Sequence, residues 1–443
     1  MILVGKININ RKEASMTRKT LGVLMFLLLL LPLTIWSGGQ DEVTAEKVKL
    51  VFWFPSANPT NDAYFNSLGP DFMKMNPDIE IETIVVPSSS ADIIQKLNTA
   101  QLSKTYPDVF SAFLVYIGSR GARGEFLDLK DYYNKWSDKD DILENTIDMG
   151  KYKGTLIGLG YFPAPVIRVY RKDWFAEKGL DPEKGPGDSW EELAETAKKM
   201  SVYDSSGNLE RAGMDLPSSD LALVFNEPFM RQNGSMVIDE INQKPAFTDD
   251  GAIEAMQFLA DLHKENVSFP HEWADFDNHP FVNNRSAMGN IMTSAIMNLI
   301  DNDPAMEKNM GYAPVITRKE KWAFCGYRFF VIGADSKYKD ESWEFMKFMM
   351  SPEQMWTRYK DLAIPPVRKS IMDRFIADSP VRNKRIAEYV EFGKGKPITP
   401  WTHLYNRYVK VAYEEALART KTARQALLDA EAGLLEELKE FKP

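Results

Sequence analysis

The chain has 443 residues, 44% hydrophobic and 26% charged, a composition that excludes wholesale disorder and leaves room for two globular domains of about 100–200 residues each. A formal charge of −9 at pH 7 disfavours a nucleic-acid partner, because that affinity rests largely on Lys and Arg displacing counterions. Cys325 is the one cysteine, so an intramolecular disulfide framework and a cysteine-based zinc site are excluded.

In chain order the first feature is a basic, apolar, small pattern: Arg18 and Lys19, the run Leu21–Trp36, then Ser37, Gly38 and Gly39. This reads as a secretory signal over residues 1–39, with cleavage before Gln40 placing Ser37 and Gly39 where the peptidase accepts small side chains. No cysteine follows the apolar run, so lipid anchoring through a thioether is chemically excluded and a soluble, periplasmic protein is expected. Lys47–Pro55, a β-branched and aromatic run closed by proline, predicts a buried strand; Ile79–Pro87 predicts the next. Between them Tyr64, Phe65, Leu68, Phe72 and Met75 recur at helical spacing, which predicts a parallel βαβ unit. A helix over Ala91–Ser103 and a strand over Val109–Leu114 continue the alternation, so the class is α/β.

Lys153–Phe162 and Val166–Tyr170 read as two short strands. Ser189 and Glu192 form a capping box ahead of a helix, and further helices are predicted at Ala252–Glu265, Asp340–Met350 and Val411–Phe441, the last broken near Thr420–Thr422. No phosphate-binding loop, dinucleotide fingerprint, nucleophile elbow or zinc-protease motif is present, and nothing calls for a cofactor. His271, Glu272, Asp275, Asp277 and His279 lie close together but read as a polar loop rather than a metal site. The aromatic supply is large, at 10 Trp, 17 Tyr and 25 Phe, and in a cleft such rings suit the apolar faces of sugars. Trp53, Phe54, Phe113, Tyr116, Tyr161, Phe162, Trp322, Tyr327 and Trp401 stand at strand ends or in loops, and of these Trp53, Phe54, Phe113, Tyr161, Tyr327 and Trp401 are the aromatic candidates, with Arg328 beside them.

A series of segments in this order resembles the extracellular solute-binding proteins of ABC sugar importers, the maltose-binding-protein-like group. They include VKLVFWF, FMKMNPDIEIE, KLNTAQLSKTYPDVF, VYRKDWFAEKGLDPEKGPGDSWEELAETAKKM, AFTDDGAIEAMQFLADLHKE and IPPVRKS. The resemblance runs from about Val48 to Leu438. It implies a two-lobed periplasmic-binding-protein fold (type II) with three crossings, near Pro163–Val166, Phe329–Val331 and Pro365–Val367. One lobe would hold residues 40–164 and 330–366, the other 165–329 and 367–443. Asn226-Glu227-Pro228-Phe229 resembles the Glu-Pro-aromatic stretch that contacts sugar in this family, which adds Glu227 and Phe229 to the candidates. The family's Gly-x-Trp after the Ala-Met stretch is absent here, where Ala287-Met288 runs into GNIMTSAI. The implied function is a monomeric, non-catalytic receptor that carries a carbohydrate to ABC permease subunits. A secreted carbohydrate-active enzyme, and a receptor for a non-sugar solute such as glycerol 3-phosphate, stay open as alternatives.

Overall fold

Strand β1 (Val48–Pro55) is apolar except for Lys49, and its last four residues are all buried, as a strand covered on both faces requires. The helix Pro59–Met75 follows because Asn58 caps it, its side-chain oxygen accepting from Asn61 N at 2.9 Å, while Pro59 suits a first turn that lacks partners for its N–H groups. Its face of Tyr64, Phe65, Leu68 and Phe72 is buried. Strand β2 (Ile79–Val86), the helix Ser90–Ser103 and strand β3 (Val109–Phe113) then complete the alternation, and β1 pairs in parallel with both β2 and β3.

The computed structural model describes residues 47–442 except 88–89, 217–221 and 270–278. Lys47–Pro443 form one compact unit. The expected secretory signal lies outside the described residues, as do His271, Glu272, Asp275 and Asp277. Among the described residues the main sheet has eight strands, completed by β4 (Leu159–Arg171), β5 (Met288–Met292), β6 (Met310–Tyr312), β7 (Ala323–Ile332) and β8 (Gly393–Lys394). The order is β5-β4-β7-β3-β1-β2, with β6 added beside β4 and β8 beside β7.

Where two short strands are expected around 153–170, the chain instead runs as the single 13-residue β4, preceded by the small hairpin strands Lys151–Tyr152 and Thr155–Leu156. Pro163 and Pro165 read as punctuation in sequence. In the sheet they fall where β4 has one neighbour: residues 159–165 pair only with β7, and pairing with β5 begins at Val166. Successive N–H groups alternate between strand edges, so prolines two apart withhold donors from the same edge, and an edge without a partner tolerates them.

β4 and β7 run antiparallel through the middle of the molecule. β4 changes neighbours between Pro165 and Val166. β7 is already laddered to β3 from Arg328 to Ile332, so Phe329–Val331 lie inside the sheet that contains β1–β3. Val367 and Arg368 are tied to the same part of the chain: Leu143 N donates to Val367 O at 2.9 Å, and Arg368 Nη1 pairs with Asp138 and Asp141 at 3.1 and 2.8 Å. The helix Pro380–Glu391 spans further. Asn383 Nδ2 donates to the Tyr359 hydroxyl at 2.8 Å near one end, and near the other the Tyr389 hydroxyl donates to Pro314 O and receives Arg168 N. Apolar clusters lie on both faces of β1–β3, while a separate one joins the helices Trp190–Met200, Asp250–Lys264, Thr402–Leu417 and Ala423–Leu438.

Candidate ligand-binding site

The alternation of burial along β4 and β7 exposes one face of the ladder. Phe162, Ala164, Gly326 and Arg328 are half-buried, whereas Tyr161, Pro163, Pro165, Cys325, Tyr327 and Phe329 between and beside them are buried. Arg328 is paired with Phe162 and Gly326 with Ala164, so the four lie on one face as a floor with large groups at one end and almost no side chain beside them. The Arg328 guanidinium sits between two rings, 4.6 Å from the centre of Phe113 and 5.0 Å from that of Phe162. Phe113 reaches this place because it ends β3 and is the ladder partner of Arg328. Strand ends of this kind are where α/β sheets bind ligands.

Beneath this end lies a buried polar stack. Tyr161 is parallel to Phe330 with centres 3.8 Å apart, and its hydroxyl shares a 2.6 Å hydrogen bond with Ser111 Oγ. Burial pushes the Tyr161 hydroxyl pKa up, while Arg328, Ser111 and Arg358 pull it back. Arg358 is held by Tyr161 O, Met349 O and the Tyr64 hydroxyl, all neutral acceptors.

At the other end of the floor a cavity is walled by Val166, Phe225, Trp322 and Phe324, with Arg168, Asp215, Gln232 and Asn290 supplying polar atoms. Among the described residues neither carboxylate oxygen of Asp215 has a hydrogen-bond partner, and burial raises its pKa well above the usual range. His279 Nδ1 lies 3.2 Å from Asp215 Oδ2. The imidazole accepts from Phe281 N at Nδ1 and meets Asn290 O at Nε2, which fits a neutral ring, and burial lowers its pKa to about 4. Gly289 is required here, since a Cβ would stand 2.8 Å from Asp215 Oδ2.

The remaining candidates are placed as follows. Glu227, 2% exposed, accepts from Arg231 Nε at 3.0 Å and from the Tyr405 hydroxyl at 2.9 Å. Burial works against the Arg231 charge, yet Glu227 beside it holds that pKa above its ordinary value. Phe229 packs against Trp190 and Phe258, and Trp401 belongs to the same buried cluster. Tyr327 donates to Gly393 O and receives Asn145 Nδ2, on the covered face of the ladder. Phe54 is fully buried beside Phe65, and Trp53 is buried with Lys96 Nζ 4.7 Å from its ring centre. The structure therefore brings Phe113, Tyr161 and Arg328 together and sets the other six in packed surroundings. Ala164, Gly326 and Asp215 were not singled out, and Phe162 stood only among the strand-end aromatic residues. The signal for Phe162, Ala164 and Gly326 was the small and large residues recurring at every second position of YFPAPV and CGYR.

Among the described residues no cluster of three His, Cys, Asp or Glu side chains could hold a metal, and no helix is long and apolar enough to cross a membrane. The family model for bacterial extracellular solute-binding proteins matches residues 68–386. No curated protein sequence matches the chain. Solved structures do. The cyclic α-maltosyl-1,6-maltose binding protein of Arthrobacter globiformis is 22% identical with a TM-score of 0.75, over 89% of this chain and 100% of that one. The sugar-binding protein MalE of Xanthomonas citri is 18% identical with a TM-score of 0.76, over 89% and 98%. A solute-binding protein of Thermotoga lettingae bound with α-D-tagatose is 19% identical with a TM-score of 0.68, over 88% and 99%. These likenesses establish the two-lobed periplasmic-binding-protein fold, and with the family match covering most of its length the chain belongs to the bacterial extracellular solute-binding proteins.

Proposed function

We propose that this protein is the periplasmic receptor of an ABC importer: it captures a sugar or oligosaccharide between its lobes, returns it chemically unchanged and delivers it to the permease as a monomer. The observation that carries this reading is the open floor on β4 and β7, where half-buried Phe162, Ala164, Gly326 and Arg328 face solvent at the strand ends. The saccharide ligands of the structural neighbours support it. We place the lobe crossings at Pro165–Val166, within residues 323–327 and along Pro380–Glu391, the last two displaced from the sequence expectation because 329–331 and 367–368 are bonded into the first lobe. Export through residues 1–39 belongs to the same proposal.

A ligand selects the closed state only by touching both lobes, since equal affinity for open and closed forms shifts nothing. The test is a thermal-shift screen over mono- and oligosaccharides, followed by scattering and chromatography on the best hit. A raised midpoint, a smaller radius of gyration and full recovery of the sugar are expected. Consumption of the sugar would establish the enzyme alternative instead.

A further inference from the structure

Several buried and half-buried arginines of this protein meet a carboxylate. Arg120 meets Glu125, Arg171 meets Asp173, Arg231 meets Glu227, and Arg368 meets Asp138 and Asp141. Arg168, Arg328 and Arg358 make no ion pair among the described residues, and all three lie along the floor or directly beneath it. Arg168 donates through Nη2 to the backbone oxygens of Gly187 and Pro314, while its Nε and Nη1 have no acceptor. Arg328 Nη1 is buried and likewise makes no hydrogen bond. Removing a guanidinium from water without a counter-charge is costly, and proteins ordinarily supply a carboxylate. Here the groups beside the Arg328 guanidinium are the rings of Phe113 and Phe162, and among the described residues no carboxylate meets it. Edge-on, a guanidinium offers parallel N–H donors that match a carboxylate or phosphate.

We propose that the ligand is an anionic saccharide, a sugar bearing a carboxylate or a phosphate, whose charged group docks on the free edge of Arg328. Arg358 adds positive potential from below, since it and Arg328 both act on the Tyr161 hydroxyl. The local sign is thus opposite to that of the whole chain, which is −9. This rests on the reading of the protein as a saccharide receptor, and its test separates the two.

Calorimetry on the full chain would compare galacturonic and glucuronic acids and their disaccharides, the methyl esters of the same sugars, glucose 6-phosphate, and neutral glucose, galactose and maltose. A charge-assisted bond exceeds a neutral one by roughly a factor of two in strength, so an acid should bind at least about tenfold tighter than its ester. Arg328→Gln should erase that ratio, the acid losing at least about tenfold more affinity than the ester, and Arg328→Lys should retain part of it. The acid-to-ester ratio of the unaltered protein needs no variant to fold. Tight binding of glucose 6-phosphate with none of the uronates would support the proposal and assign the charge to phosphate. Equal affinity for acid and ester, or an equal loss for both in Arg328→Gln, would overturn it while the saccharide-receptor reading stands. If no saccharide of either charge binds, both fall.

Discussion

Two arginines of this protein lie against aromatic rings and have opposite fates. Arg231 sits 5.3 Å from the centre of Trp322, and Glu227 closes its edge, with Tyr405 completing the carboxylate's bonds. Arg328 lies beside Phe113 and Phe162, and among the described residues no carboxylate meets it. The first is a finished network in packed surroundings. The second is an unfinished one on the half-buried face of the β4–β7 ladder. Removing the internal partner of a buried charge is strongly destabilising, so Arg231 needs Glu227, whereas the half-buried Arg328 is the one we propose to be partnered by ligand.

The comparison breaks most visibly if Glu227 is not structural. Glu227→Ala leaves Arg231 without its carboxylate and Tyr405 without an acceptor, so urea unfolding should show a loss of about 3–5 kcal/mol. A stability within about 1 kcal/mol of the parent would mean that Glu227 is free to serve a ligand. The next effect is on binding alone. At Gly326 a Cβ would meet Ala164 Cβ at 3.7 Å, an ordinary contact, so Gly326→Leu should fold normally yet fill the floor. Saccharide affinity should fall about 100-fold, or about 2.7 kcal/mol, and an unchanged affinity would move the site away from the ladder. Smaller still is Phe162→Ala, which removes one face of the Arg328 sandwich and should weaken binding by about 1 kcal/mol in calorimetry.

His279 sharpens the comparison by a third route, in which a buried group avoids charge altogether. Its pKa of about 4 in the folded chain lies below the ordinary 6.5, so as pH falls the unfolded chain takes a proton that the folded one refuses, and stability drops from pH 6.5 downward. Between pH 7 and pH 6 the loss from this group is about 0.7 kcal/mol. Asp215 acts with the opposite sign, because its raised pKa lets the folded chain bind a proton first as pH falls. Stability measured at the two pH values should therefore fall less for His279→Gln than for the parent. An identical drop in both would show that the folded chain protonates His279 as readily as the unfolded chain does.

The alternating β and α segments up to Phe113 were legible because each element's pattern is local: Val48–Pro55 is apolar on both faces, and Tyr64, Phe65, Leu68 and Phe72 recur with the helical period. β4 was legible only in pieces, since the two prolines that divide it by composition are tolerated through the absence of a neighbouring strand, a tertiary fact. The same limit governs the site. Phe113 and Arg328 were readable as strand ends, and the register then set them side by side. Glu227 was readable as a carboxylate in a recognisable motif, but the hydroxyl that engages it comes from Tyr405, 178 residues further on. Trp53 and Phe54 show the other failure: adjacent aromatic residues at a strand end can each face a core when both sides of the sheet are covered.

The single cysteine lies in the ladder between β4 and β7. Cys325 is fully buried opposite Pro165, with Gly393 so close that a Cβ there would stand 2.5 Å from its own, and burial pushes the thiol up to about 12. A thiol in that setting is inert to alkylating and disulfide reagents until the strand on which it sits parts from its neighbours. With no other sulfhydryl in the chain to compete, the time course of labelling in excess reagent becomes a clock for that parting, read without any engineered probe.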